Sequence, residues 1–298
     1  MTEYKPKSEI DDERQSFRYY RNAVERHWDP GEIDLEVDKE NIKELPDEGL
    51  DPLRRGLALF GAGEEAVTED LAPLAVALED ISDQMFVTTQ LYEESKHADF
   101  FHRYWKEVIN PEEARRGMEE SNPRDDEWFS DEYNQLFTEN EEVMHRLLED
   151  DTPKNRATAF CYYHMTIEGI LGQTGYYGFQ NNFGGEYEEL PELPGLVEGF
   201  SKIRSDEGRH VGFGMWKLKQ MVENGEVPGE FVTETVQNLA PRIQGVLTPP
   251  DDREPAELGM ENEQLVSYAL TKHTERMEQI TNVSEDIPDV DELVNIEA

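Results

Sequence analysis

Cysteine is nearly missing from this chain: Cys161 stands alone among 298 residues. A single thiol cannot close an intrachain disulfide, so a reducing compartment is the natural setting. Positive charge is scarce as well. Against 68 acidic residues there are 28 basic ones, only 11 of them Lys, for a net charge of −40. A surface of that sign repels DNA, RNA and anionic lipid, which excludes nucleic acid as a partner. No run of 18 apolar residues occurs and the N-terminus has no hydrophobic signal core, so no membrane insertion is expected. Alternating strand patterns and internal repeats are also missing. The expectation is a soluble, cytoplasmic, helical protein.

The acids are spread from Glu3 to Glu297 instead of forming a tail. Aromatic residues make up 10% of the chain, too many for an acidic disordered protein. A globally acidic, Lys-poor coat on a globular composition resembles cytoplasmic proteins of salt-accumulating halophiles. In molar salt the Debye length falls to roughly 3 Å, which screens the self-repulsion of such a surface.

Three regions follow from the pattern. Residues 1–50 form a polar N-terminal extension in which Arg18 to Trp28 is amphipathic and expected to pack on the main body. Residues 51–282 read as one all-α bundle, and residues 283–298 as an acidic, mobile tail. Apolar periodicity predicts helices near 52–79, 82–109, 131–149, 153–180, 195–223, 229–246 and 255–281. Asn110-Pro111 is read as the stop of the second helix, and Asp151-Thr152-Pro153 as the start of the fourth. Asn224-Gly225 closes the fifth, and Thr248-Pro249-Pro250 the sixth.

Two segments place Glu three residues before His: Glu94/His97 and Glu207/His210. On a helix these positions share a face, so both side chains reach one ion. A bundle-core di-iron or di-manganese site takes two such pairs plus one Glu from each of two further helices. Carboxylates bridge hard cations and neutralise their charge, while each imidazole adds a neutral nitrogen donor. With 46 Glu and seven His, about one such spacing arises by chance. The third instance, Glu142/His145, has acids on every side and reads as solvated surface. Glu94/His97 is flanked at helical spacing by Phe86, Leu91, Phe100 and Phe101, and Glu207/His210 precedes Val211, Phe213, Met215 and Trp216. Glu168 follows the apolar run from Phe160 to Ile167, where a lone carboxylate is costly unless it meets a cation. Gly169, Gly172, Gly175 and Gly178 recur every third residue, which lets a helix or ligand come close. For the remaining carboxylate the first helix offers Glu64, Glu65 and Glu69. His164 reads as a core or supporting histidine.

The order Glu, Glu-x-x-His, Glu, Glu-x-x-His resembles the small subunit of ribonucleotide reductase over about residues 55–220. Within that ferritin-like superfamily, three stretches are most similar to the ligand-binding oxidases with a manganese/iron cofactor: Gly63 to Thr68, Leu91 to Phe101, and Asp206 to His210. The resemblance implies a valine three residues after the first Glu ligand, joined through its β-carbon to the oxygen of a tyrosine five before the third. Val67 and Tyr163 occupy those positions if Glu64, not Glu65, is the first ligand. It therefore implies Glu64, Glu94, His97, Glu168, Glu207 and His210 as ligands of manganese and iron, or of two irons. Tyr163 and Val67 are then the residues oxidised at the expense of O2. A long-chain fatty-acid-like ligand is implied beside the metals, and a homodimer is the expected assembly. The alternative is a reductase radical subunit working with a catalytic partner. Against it, the position that stores the radical in such subunits, four residues beyond the first motif histidine, is Phe101. No tyrosine follows Tyr268 to relay a radical from the C-terminal stretch.

Overall fold

The computed structural model describes residues 8–248, 258–282 and 284–294, and within them every regular element is helical. In chain order these are α1 (Gln15–Glu25), α2 (Glu36–Asn41), α3 (Asp47–Asp70), α4 (Ala72–Ala77) and α5 (Ile81–Tyr104), which widens into a π-helical turn (Trp105–Ile109) and continues as α6 (Asn110–Arg116). After α7 (Asp131–Arg146) comes α8 (Pro153–Phe160), which leads through a long π segment (Cys161–Gly172) into α9 (Gln173–Phe183). The chain closes with α10 (Pro194–Glu223), α11 (Gly229–Asn238), α12 (Ala240–Leu247), α13 (Asn262–Thr281) and α14 (Val290–Val294). No helix of the described residues is long and apolar enough to cross a membrane.

Local chemistry explains most of the boundaries. The side chains of Asp80, Ser130 and Thr152 accept hydrogen bonds from backbone amides that open α5, α7 and α8. Glu261 and Gln264 cap the start of α13 reciprocally. Gly225 takes φ of +72° just after α10. The second long helix departs from the sequence expectation. Asn110-Pro111 does not stop it, because the preceding π turn lets Pro111 serve as a first-turn residue, where its missing N–H is no loss. The stop is Gly117, at φ +73°. Helix α3 likewise starts at Asp47, before Pro52.

Helices α3, α5, the π segment with α9, and α10 enclose the centre of the bundle. Two of them cross closely: a Cβ on Gly175 would lie 2.3 Å from the Phe60 ring, and one on Gly56 would lie 2.4 Å from the Phe179 ring. Each glycine is a socket for the other helix's phenylalanine, which accounts for one member of the glycine row.

The N-terminal segment packs on the outside of this core. Helix α1 lies against α5 and α10, Arg14 pairs with Asp83 at 2.9 Å, and Trp28 reaches inward to Asp206. At the other end, α14 sits on α10 with Val290 buried, so this part of the stretch read as a mobile tail is seated on the bundle. Apolar residues at 287, 290 and 293 provide the contact. Residues 283 and 295–298 of that stretch lie outside the described residues, as do Pro249, Pro250 and residues 255–257 of the seventh predicted helix.

Candidate metal centre

Glu64 comes from α3, Glu94 and His97 from α5, Glu168 from the π segment, and Glu207 and His210 from α10. All six are buried, at 6% exposure or less. Their donor atoms fall into two groups, each within 4.8 Å: Glu64, Glu94, His97 and Glu207, and Glu94, Glu168, Glu207 and His210. Glu94 and Glu207 belong to both. Of the three candidates in the first helix, Glu64 alone points inward. Glu65 pairs with Arg124 at the surface, and Glu69 is exposed. Glu142 and His145 are both exposed on α7, where His145 lies 3.7 Å from Glu141.

The two histidines are built alike. His97 turns Nδ1 to Glu64, Glu94 and Glu207 at 3.3, 3.5 and 3.4 Å. His210 turns Nδ1 to Glu94, Glu168 and Glu207 at 3.1, 3.3 and 3.5 Å. Behind them, Nε2 of His97 donates to Asp206 at 3.1 Å and Nε2 of His210 donates to Glu93 at 2.9 Å. A proton held at Nε2 leaves the Nδ1 lone pair facing the carboxylates, the arrangement that orients an imidazole for a metal. Arg209 lies between the two outer carboxylates and donates to both. Asp206 also accepts from Lys96 at 3.1 Å and from the Trp28 indole at 2.8 Å, and the Trp28 ring stacks on His97.

The electrostatics call for positive charge at the centre. Burial pushes the Glu64 and Glu168 carboxyls well above the usual range, with neighbouring carboxylates adding to the shift. Burial works against ionisation of Glu94 too, yet His210 and His97 on either side hold it well below. Burial disfavours charge on His97 and His210, and the surrounding carboxylates nevertheless raise both well above an ordinary histidine. Four ionised glutamates would be neutralised by two divalent cations. Glu168 Oε2, Glu207 Oε2 and His210 Nδ1 are buried without a hydrogen-bond partner, as unused ligand atoms would be. Carboxylate and imidazole donors in this ratio suit iron and manganese.

Tyr163 donates from its hydroxyl to Glu94 at 2.7 Å, and burial together with the charges of Glu168 and Glu94 raises its pKa well above that of a free phenol. Tyr176 donates to Glu64 at 3.4 Å, and Gln90 donates to Glu168 at 2.9 Å. His164 is buried beside Tyr163 and Phe160 with Nε2 3.4 Å from Gln90, outside both donor groups. Phe101 stacks among Phe60, Phe100 and Phe200. A cavity of about 230 Å³ runs from Glu64, Glu94, Glu168 and Glu207 out to Arg55, Val246 and Leu247. Its walls include Val67, Tyr163, Phe60, Phe137, Ile167 and Leu171. Sequence reasoning missed Glu93, Asp206, Gln90, Tyr176 and Trp28. In a chain with 68 acids nothing marks the two outer carboxylates except their inward register beside the motif residues.

The model of the ribonucleotide reductase small chain matches residues 11–243. The chain belongs to that family. Its fold is shared with solved structures of an R2-like ligand-binding oxidase. One variant with an aerobically reconstituted Mn/Fe cofactor is 30% identical, with a TM-score of 0.79 over 91% of this chain and 95% of that one. Another, with a non-activated Mn/Mn cofactor, is 30% identical with a TM-score of 0.78 over 91% and 94%.

Proposed function

We propose that this family member is a di-metal oxidase in which Glu64, Glu94, His97, Glu168, Glu207 and His210 hold manganese and iron, or two irons. The observation that carries the reading is the pair of overlapping donor groups sharing Glu94 and Glu207, with Tyr163 and Val67 on the adjoining cavity wall. Related structures that carry Mn/Fe support the choice of metals. When bound, the metal pair supplies the electron chemistry that reduces O2. The surrounding residues do the rest. Glu93 and Asp206 hold the imidazoles in register, Arg209 holds Glu93 and Asp206, and the aromatic wall keeps water out.

Glu94, 2.7 Å from the Tyr163 hydroxyl, accepts its hydrogen bond and aligns the phenol. Joining Tyr163 Oη to Val67 Cβ removes the phenolic hydrogen and one C–H hydrogen, two protons and two electrons, with O2 as the acceptor. We read the apolar cavity that opens on the carboxylates as the place for a long-chain fatty-acid-like ligand, with its headgroup toward the metal ligands and its chain toward Val246. The alternative, a reductase radical subunit, is disfavoured by Phe101, whose ring has no oxygen to carry a phenoxyl radical.

The test is aerobic loading with manganese and iron, followed by intact-mass measurement and peptide mapping. Wild type should lose about two mass units, with the segment around Val67 linked to that around Tyr163. Tyr163→Phe should keep its metal and lose the link. A metal-replete, oxygen-exposed wild type of unchanged mass would sink the crosslink.

A further inference from the structure

The two donor groups of the candidate metal centre are alike in composition. Each has one histidine whose Nδ1 faces inward and whose Nε2 donates to an outer carboxylate, one glutamate of its own, and a share of Glu94 and Glu207. The two unshared glutamates differ in what holds them. Among the described residues, Glu64 receives one hydrogen bond from outside the donor groups, from the Tyr176 hydroxyl at 3.4 Å. Glu168 is held at Oε1 by the side-chain amide of Gln90 at 2.9 Å, while its Oε2 has no partner.

Gln90 sits on α5 one turn before Glu94, and so on the same inward face. It is fully buried, and its amide is engaged at both ends. Nε2 carries two hydrogens: one goes to Glu168, and the other is directed to the Tyr163 hydroxyl at 3.4 Å. Oε1 accepts from Nε2 of His164, also at 3.4 Å. His164 Nδ1 has no partner, which places the ring proton on Nε2, where the acceptor is. That donor can meet only the oxygen end of the amide, so it fixes which way round Gln90 stands, with its NH2 toward the carboxylates. The imidazole in turn is wedged in place. It meets Tyr163 edge-to-face at 4.7 Å and Phe160 at 5.2 Å, and α10 makes room for it at Gly214, where a Cβ would lie 2.3 Å from that of His164.

We infer, on the di-metal reading proposed above, that Gln90 is the positioning residue that makes the two metal positions unlike, and that His164 acts through it. Donation to Oε1 draws charge from Glu168 and stops its carboxylate from rotating, so the position it serves has an oriented ligand. The Glu64 position, with a long contact from a phenol, lacks that constraint. Because the same NH2 reaches Tyr163, one amide also ties the orientation of Glu168 to that of the phenol. No other side chain of the described residues donates to both.

Site-resolved metal binding tests this in the absence of turnover. Gln90→Met keeps an unbranched side chain of good helix propensity and removes the amide. Full-length wild type and variants are loaded anaerobically with Mn2+ alone. Chelator competition reads the affinities, and anomalous maps at the manganese edge assign them to positions. Gln90→Met should weaken the Glu168/His210 position by about 10–100-fold and leave the Glu64/His97 position nearly unchanged. His164→Phe should weaken the same position, and in the Gln90→Met background it should add nothing, because its route to the carboxylate is gone. Should Gln90→Met fail to fold, the selective loss in His164→Phe decides alone. Affinities equal to wild type, equal losses at both positions, or losses that add in full would overturn the assignment. Wild type that bound no Mn2+ at all would instead bring down the di-metal reading, which separates the two failures.

Discussion

Asp206 lies behind the candidate metal centre, and its removal is the most telling perturbation of the supporting shell. The carboxylate is 1% exposed and accepts from Trp28 Nε1 at 2.8 Å, Lys96 Nζ at 3.1 Å, His97 Nε2 at 3.1 Å, and Arg209. Burial opposes its ionisation, but His97, Arg209 and Lys96 together hold it well below the usual range, so it is a fixed negative charge. In Asp206→Ala, Arg209 keeps Glu93, but Lys96 loses its carboxylate while remaining 5% exposed. Breaking a buried pair in this way costs about 3–5 kcal/mol. An orphaned indole N–H adds about 1 kcal/mol or more. A total near 5 kcal/mol corresponds to a midpoint lower by about 10–20 °C. Lys96→Met should cost far less, since Asp206 keeps its other partners. Freed from Asp206, His97 should bind metal about 10–100-fold more weakly. Thermal denaturation by circular dichroism in molar KCl, with a chelator-competition titration, reads both effects. If Asp206→Ala melted within about 2 °C of wild type with unchanged metal affinity, the outer carboxylate would have neither role.

Three further outcomes are expected. Gly175→Ala should lose about 1–3 kcal/mol by overpacking, because its Cβ meets a Phe60 ring held among Phe101, Tyr176 and Phe200; a urea titration with unchanged midpoint would contradict this. Burial, with Glu141 adding to it, raises the Asp70 carboxyl to about 6. A raised acid contributes stability that is present below its unfolded pKa near 3.9 and is lost as pH rises through the folded value. Asp70→Asn should therefore gain on wild type between about pH 4 and 6, by on the order of 1 kcal/mol after solvent screening, and parallel pH profiles would refute the assignment. With a net charge of −40, the wild type should melt cooperatively in molar KCl and lose cooperativity in dilute buffer; equal midpoints in the two would count against a salt-adapted surface.

The parts of the site readable from sequence were those that break the acidic background. Glu168 stood out because it follows an apolar run, and the two Glu-x-x-His pairs because aromatic residues flank them at helical spacing. Glu64 could not be separated from Glu65 and Glu69 by composition. The resemblance singled it out, and in the fold it alone turns inward. Glu93 was illegible for a physical reason: next to Glu94 in a chain this acidic, it looks like more solvated surface. Its partners Arg209 and His210, long-range contacts from α10, reveal that it is buried. Trp28 meets Asp206 across 178 residues of sequence, a contact no local pattern encodes. The stop read at Asn110-Pro111 failed because a π turn placed the proline where a helix tolerates it, and π turns leave no periodic signature.

The central claim is that one buried centre holds two metal ions through six named side chains. The most direct test is metal analysis of protein loaded with manganese and iron, combined with anomalous maps at both absorption edges. The expected result is two ions per chain, both contacted by Glu94 and Glu207, with Glu64 and His97 on one and Glu168 and His210 on the other. Glu168→Ala should lose at least one ion, and Glu142→Ala should keep both. A single ion, or metal bound instead at the Asp70, Glu141 and His145 group, of which only Asp70 is buried, would contradict it.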